Sequence, residues 1–324
     1  MKKILIIQTA FIGDVILATA LLETLHKWSE NVEIDILVRK GNQDLLEKHP
    51  FLNEVLVWDK KNWKYKNLLR LTKTIRKRQY DYVYNLQRFG ATGWLTWRSG
   101  AKKRVGFKKN PFSFGFDSKF DHKIGNGEHE IERNFILIKD DLIENVKLEK
   151  PKLYPLPRHY DAVADIVKET KEFIVLAPSS VWFTKQLPFQ KWCDLINKFE
   201  RKHTVYLIGA PDDYDYLNSI VHSCADHEVI NLAGKLDLLG SAALISSAKR
   251  TYVNDSGPLH LASAVNAPVT AFFCSTVPSF GFGPLSDDSK IVQLEKKLDC
   301  RPCGLHGHKA CPKGHFKCGN LISI

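Results

Sequence analysis

Nowhere does the chain carry about 18 consecutive apolar residues, so no segment reads as a helix that spans a bilayer. Low-complexity tracts are absent too. A composition of 44% hydrophobic and 26% charged residues is that of an ordinary soluble globular protein. Cysteine is scarce and odd in number, seven in all and mostly gathered near one end, which does not suit a secreted disulfide framework. The usual nucleic-acid-binding motifs are missing. The N-terminus imitates a secretory signal, with Lys2-Lys3 ahead of Ile4–Ile7 and an Ala18-Thr19-Ala20 that looks like a cleavage site. Gln8 and Asp14 interrupt what would have to be an unbroken apolar stretch, so a buried strand followed by a helix is expected instead. The expected address is the cytoplasm.

At 324 residues the chain exceeds the size at which one core usually stops growing, so two domains are expected. Its net charge of +11 is lopsided. Residues 1–155 hold 29 Lys and Arg against 19 Asp and Glu, while residues 156–324 hold 18 against 17. The first half is therefore suited to an anionic partner, or is simply well solvated.

Short β-branched runs alternate with helical patterns almost throughout, the signature of βαβ units and parallel sheets. In the first half, strands are expected at 4–8, 34–38, 55–58, 82–86 and 104–107. Helices are expected at 14–27, 65–77, 92–99 and, after a loop at 108–127, 128–143. Three prolines in Pro151–Pro157 then mark a linker, since proline continues neither a ladder nor a helix interior. Beyond it, strands are expected at 173–177, 205–209, 250–254 and 269–273, and helices at 189–202, 213–223, 238–247 and 258–265. The expectation is an α/β chain of two Rossmann-like domains facing across a cleft, 1–155 and 156–295, with a Cys/His-rich tail at 296–324. Ligands then belong at the C-terminal ends of the strands.

Three strand-to-helix junctions carry candidate chemistry. In Asn254-Asp255-Ser256-Gly257-Pro258-Leu259-His260, Asp255 suits an N-cap, Gly257 a close backbone approach and Pro258 the first helical turn. The exposed amides and helix dipole make an anion site fit for a diphosphate, to which Ser256 and His260 add donors. A plain capped helix is the alternative. In Ser179-Ser180…Thr184-Lys185, small hydroxyls flank a lone lysine past a strand end; it holds either a second face of a diphosphate or only water. In Gln8–Asp14, Gly13 permits a tight turn and Asp14 opens the helix. That carboxylate is either a cap or a base for an acceptor hydroxyl.

Taken in order, Gly13-Asp14-Val15, the Lys185 loop and Asp255-Ser256-Gly257-x-x-His260 resemble the ADP-heptose:lipopolysaccharide heptosyltransferase family over essentially the whole chain. The resemblance implies a GT-B fold, inverting sugar transfer and no metal or other cofactor in catalysis. It implies that Asp14 matches the general base and that Ser180, Lys185, Asp255, Ser256, Gly257 and His260 match donor-binding positions. Lys185-Gln186-Leu187-Pro188 stands where the family often has Lys-Arg-Trp-Pro, Ser179 where it often has Gly, and Ala20 where Pro is frequent. Nucleotide sugar as donor and a phosphorylated glycolipid as acceptor follow from the same resemblance; no nucleic-acid partner does. A hexosyltransferase of the same fold is one rival reading, and a non-enzymatic nucleic-acid-binding protein, suggested by the charge of +11, is the other.

The tail, Cys300-Arg-Pro-Cys303…Cys311-Pro312…His315…Cys318, is similar to the ending of many second-heptose transferases. Its four thiols suit a structural tetrahedral zinc, two disulfides or free thiols. Finally, Lys60–Arg78 carries nine basic residues among Trp63, Tyr65, Leu68, Leu69, Leu71 and Ile75 at near-helical spacing. Its apolar residues suit packing on the sheet and its cations an anionic membrane surface, as for an enzyme peripheral to the inner membrane face. Arg98, Lys102, Lys103 and Arg104 form a second basic cluster, placed to meet acceptor phosphates.

Overall fold

In the computed structural model, which describes every residue except 143–145 and 168–171, the chain forms two compact units, Met1–Tyr154 and Pro155–Ile324. The first unit runs β1 (Lys2–Ile7), α1 (Ile12–Trp28), β2 (Val32–Arg39), β3 (Glu54–Trp58), α2 (Lys64–Arg78), β4 (Tyr82–Asn85), α3 (Gly90–Arg98), β5 (Lys103–Phe107), β6 (Ser118–Phe120) and α4 (Glu130–Lys139). Its strands lie in the order β3-β2-β1-β4-β5-β6, all parallel. Ile4, Leu5, Ile6 and Ile7 are wholly buried, as a central strand covered on both faces requires. α1 buries residues on every side from Val15 to Leu25, so it is an internal helix without a polar face, and it packs on α4. α2 is the opposite case: only Leu68, Leu71 and Ile75 are buried, one narrow stripe spaced by three and four.

The second unit runs α5 (Pro157–Val167), β7 (Phe173–Ala177), α6 (Phe189–Ile196), β8 (Thr204–Leu207), α7 (Tyr214–Ser223), β9 (Val229–Asn231), α8 (Leu238–Ser247), β10 (Arg250–Asn254), α9 (Gly257–Ala264), β11 (Val269–Phe273), β12 (Ser289–Gln293) and α10 (Lys317–Asn320). The order β12-β11-β10-β7-β8-β9, again all parallel, repeats the topology of the first sheet. In each sheet the strand order therefore reverses at one place, between β1 and β4 in the first and between β7 and β10 in the second. In an open parallel sheet the crevice beyond such a switch point, at the strand C-termini, is where ligands bind.

Several details differ from the sequence reading. Pro157 opens α5 rather than extending the linker, since a first helical residue needs no N–H; the Leu156 amide is bound by His159 Nδ1 at 2.8 Å. β6, β9 and β12 were not expected: two are three residues long, and β12 is a mostly exposed edge with a polar sequence. α6 stops at Ile196, well before Lys202. The helix expected at 128–143 starts at Glu130 behind a His129–Glu132 capping box, and its expected end, Ile143, lies outside the described residues. The tail is not a separate body. Phe316, Cys318 and Ile322 are buried in one cluster with Leu187, Trp192 and Leu207, so the tail completes the second unit's core.

Candidate active site

In the first unit the chain leaves β1 through a loop held at nearly every residue. Gln8, wholly buried, accepts the Ala10 amide at 3.2 Å and pairs with the Gln87 side chain. The Lys60 ammonium donates to the Thr9 carbonyl at 2.7 Å and hydroxyl at 3.0 Å, and Asn42 donates to the Ala10 carbonyl at 3.0 Å. Phe11 is exposed under the Arg39 guanidinium, 4.7 Å from its ring centre. Burial, with Arg39 and Lys64 nearby, pushes Lys60 down to about 8.

This rigid lead delivers Asp14 as the third residue of α1, not as its cap, which is Phe11. Gly13 takes ordinary helical geometry and makes no left-handed turn. Protein surrounds most of the Asp14 side chain while part of its surface stays accessible. Burial and the neighbouring Glu130 carboxylate push Asp14 up to about 6, outweighing the backbone amides of Phe11 and Asp14 and the charge of Arg88. A carboxyl poised near neutrality at a switch point suits proton abstraction. Glu130 is itself nearly buried and held by Arg133 Nε at 2.8 Å and His122 Nε2 at 3.3 Å.

In the second unit the loops after β7, β10 and β11 meet. Asn254 joins the first two: its amide donates to the Pro178 carbonyl at 2.7 Å and its carbonyl accepts the Leu187 amide at 2.8 Å. Asp255, 5% exposed, does not cap α9 as the sequence suggested. It accepts Lys185 Nζ at 2.7 Å and the Thr276 hydroxyl at 2.6 Å on one oxygen. The cap position is Ser256, whose side chain makes no capping bond. Gly257 is the first helical residue, and Pro258, next in line, supplies no N–H, so Gly257 is the amide donor nearest the terminus. His260 lies on the buried side of α9, edge-on to Phe282 at 6.4 Å. The Ser180 carbonyl accepts the Gln186 side chain at 2.6 Å, folding that loop back towards Lys185.

The tail closes over the same loop. Thr184, almost wholly buried, donates its amide to the His308 carbonyl at 3.1 Å, and its hydroxyl accepts the His308 amide at 2.8 Å and the Ser275 hydroxyl at 3.1 Å. Gly307, at φ +79°, makes this approach possible; a Cβ there would lie 3.0 Å from Thr184 Oγ1 and 3.2 Å from Lys185 Cγ. Arg301 donates to the carbonyls of Cys274 at 2.7 Å, Thr276 at 2.9 Å and Phe273 at 3.1 Å, fixing the end of β11 beside Asp255.

The tail's cysteines stand in one of the three states that the sequence left open. All seven cysteines are free, and among the described residues no three His, Cys, Asp or Glu side chains are grouped to hold a metal ion. Cys300 Sγ stands 4.0 Å from His315 Nε2, Cys303 and Cys311 are half-buried, and Cys318 is spent in the core. No disulfide joins Cys300, Cys303, Cys311 and Cys318, and the described side chains form no metal-binding group of three or more by themselves. The proposed acceptor cations are also not gathered around Asp14. Lys102 and Arg104 sit at the N-terminal end of β5, the edge of the sheet opposite the Asp14 loop. Lys102 is paired with Asp81 at 2.6 Å, and Arg104 grips Asp117 through two nitrogens at 2.8 and 2.9 Å. Arg98 lies over the rings of Trp94 and Trp97.

Arg88, Glu130, Asn254 and Thr276 were missed from the sequence. Applying the strand-end rule to Ser275-Thr276, just past β11, would have found Thr276. Nothing local marks Glu130, which meets Asp14 only through the packing of α4 on α1.

Comparison with known proteins places this geometry. The model of glycosyltransferase family 9 (heptosyltransferase) matches residues 68–311. The chain is 27% identical over 279 residues to lipopolysaccharide heptosyltransferase 3 of Escherichia coli K12, covering 82% of this chain and 80% of that one. It is 25% identical over 315 residues to lipopolysaccharide heptosyltransferase 1 of Campylobacter coli, covering 91% and 90%. The solved structure of E. coli ADP-heptose lipopolysaccharide heptosyltransferase II superposes with a TM-score of 0.78 at 22% identity, over 94% of this chain and 96% of that one. The two Rossmann-like units are thus those of a GT-B glycosyltransferase, and the chain belongs to glycosyltransferase family 9, the heptosyltransferases.

Proposed function

We propose that this enzyme transfers a heptose from ADP-heptose, with inversion, to a phosphorylated lipopolysaccharide-core acceptor, in the cytoplasm at the inner membrane face. One observation carries the reading: each parallel sheet presents reactive groups at its own switch point. Asp14 follows β1 in one unit, while Lys185 and the Asp255–Gly257 turn follow β7 and β10 in the other.

In this mechanism Asp14 takes the proton of an acceptor hydroxyl as that oxygen attacks the anomeric carbon. The bond from that carbon to the diphosphate breaks, and its electron pair leaves with the nucleoside diphosphate. Lys185 and the amide of Gly257 at the α9 terminus face the departing charge, Ser180 and Ser256 supply hydroxyls beside it, and His260 lines the turn. Such stabilisation counts most where charge develops. Fixed cationic and amide donors suit a transfer without a catalytic metal. Asp255, held by Thr276, keeps the Lys185 ammonium in place.

Relatives named as types 1, 2 and 3 all resemble the chain to a similar degree, so the acceptor sugar is the property to measure. The test is a panel of ADP-, UDP- and GDP-sugars with truncated lipopolysaccharide-core acceptors, the product linkage being read by NMR. The proposal expects turnover with ADP-heptose and an inverted anomeric centre. Turnover with another nucleotide sugar but not ADP-heptose would favour the hexosyltransferase reading.

A further inference from the structure

Between Lys60 and Phe116 the chain places 16 Lys and Arg against a single acid, Asp81. The fold gathers many of these cations, with exposed aromatics, onto α2 and α3, which pack against each other. Trp94 on α3 lies against the core shared with Leu68, Leu71 and Ile75 of α2. From there aromatic rings continue outward: Trp94 to Trp97 at 5.5 Å, Trp97 to Phe112 at 5.9 Å, and Trp97 to Phe114 at 5.4 Å. Arg98 lies over both tryptophans. Phe114 is 67% exposed in its loop, while Trp63, just ahead of α2, and Leu69 on that helix are 78% and 56% exposed. Within Lys64–Arg78 only Arg78 is ion-paired among the described residues, so Lys66, Arg70, Lys73 and Lys77 face solvent without a carboxylate.

Packing requires the buried stripe of α2 but not the exposed rings, and water is a poor solvent for them. Solvation alone accounts for the cations but not for the aromatics among them. Together they match the boundary of an anionic bilayer, where rings enter the headgroup layer and cations meet lipid phosphates. We propose that the face formed by α2, α3 and the Phe112–Phe114 loop is the surface by which this enzyme docks on an anionic membrane. This deepens the functional reading above, because it names where a lipid-borne acceptor is met. It also shifts the contact from α2 alone to a combined face of aromatics and cations.

The test is flotation of the full-length protein with phosphatidylcholine vesicles, with or without phosphatidylglycerol, at low and high salt. Wild type should float with the anionic vesicles, bind neutral ones far less, and keep a residual attachment at salt high enough to shrink the Debye length to about 3 Å. Phe114→Ser combined with Trp63→Ser and Leu69→Ser should abolish that residual part. Lys66, Arg70, Lys73 and Lys77 changed together to Gln should lower low-salt partitioning at least tenfold, each cation near the surface contributing about fivefold. Both variants should unfold as wild type does and transfer sugar to a delipidated acceptor at the wild-type rate. That arm also keeps the functional reading separate: if no transfer occurs with any acceptor, it fails whatever the vesicles show. Wild type that stays with the soluble fraction overturns the docking surface. So does an aromatic variant that floats like wild type, which would leave mere electrostatic adsorption.

Discussion

Asp14 answers to two opposed demands. As a base it must lose its proton, yet burial and Glu130 favour keeping it, so its carboxyl is pushed up to about 6. Transfer should therefore rise as pH increases through about 6 and level off above it, with Asp14→Asn lowering the plateau by about 10²–10⁴-fold. The effect on stability has the other sign. Against an unfolded value near 3.8, the folded chain binds the extra proton between about pH 4 and 6, so this group's contribution to stability falls as pH rises through that window. Asp14→Asn should then raise the melting temperature at pH 7.5 while removing activity. A variant that is inactive and also less stable would mean that the carboxylate is structural. Lys185 behaves differently, because Asp255 beside it is nearly buried. Lys185→Ala should slow transfer and weaken donor binding, and should also cost about 3 kcal/mol by stranding that carboxylate. Adding Asp255→Asn should restore the stability without the activity, which denaturation curves and kinetics on the pair will check. Among the tail thiols Cys311 is the exception. Burial raises it, but the amides of Phe316, Lys313, Gly314 and His315 outweigh burial and hold it below the usual thiol value, whereas Cys303 and Cys318 are raised. Limited alkylation near pH 7.5 followed by peptide mass mapping should find Cys311 modified first.

Strand and helix junctions were the most legible parts of this sequence. A β-branched run ending in small polar residues and then a helical pattern is a local signal, and it located Asp14, Lys185 and the Asp255–Gly257 turn. The roles inside those junctions were less legible, since they depend on partners far along the chain. Asp255 reads as a cap from its neighbours, yet it is turned towards Lys185 and Thr276, 70 and 21 residues away. The strands that went unread, β6, β9 and β12, are short or polar because edges need neither length nor a continuous apolar run. Basic residues were legible only as charge. Lys102 and Arg104 looked like free cations until pairing with Asp81 and Asp117 consumed them, while Lys66, Arg70, Lys73 and Lys77 of α2 have no such partners among the described residues. The turn that carries Lys185 should depend on Thr184. Thr184→Val, which deletes the hydroxyl shared by His308 and Ser275, should raise the donor KM several-fold, and Thr184→Ser should recover it. Equal kinetics for the two variants would show that the tail does not position this turn.

At the scale of the whole molecule, two copies of one topology are asked to do different work, and the second is completed by chain that comes after its last strand. The Cys/His-rich ending reads in sequence as a tail outside the second domain. Its packing makes it part of that unit's core. Phe316, Cys318 and Ile322 fill the core beside Trp192 and Leu207, Arg301 closes the end of β11, and Gly307 rests on Thr184 and Lys185. Removing the tail would expose that core and free the Lys185 loop together. A chain ending at Asp299 should therefore lose the cooperative unfolding of the second unit, while Phe316→Ala, a milder probe, should cost about 3–5 kcal/mol. Arg301→Ala isolates the link to the site: it leaves the carbonyls of Phe273, Cys274 and Thr276 without their shared donor, next to Asp255. Its expected signature is a higher donor KM with a smaller loss of stability than Phe316→Ala causes. Isothermal titration with the nucleoside diphosphate, alongside thermal melts of the three variants, separates these effects. If the truncated chain melts as wild type does and binds the diphosphate equally well, the tail is an independent appendage and the core contacts of Phe316 and Ile322 contribute nothing to the donor site.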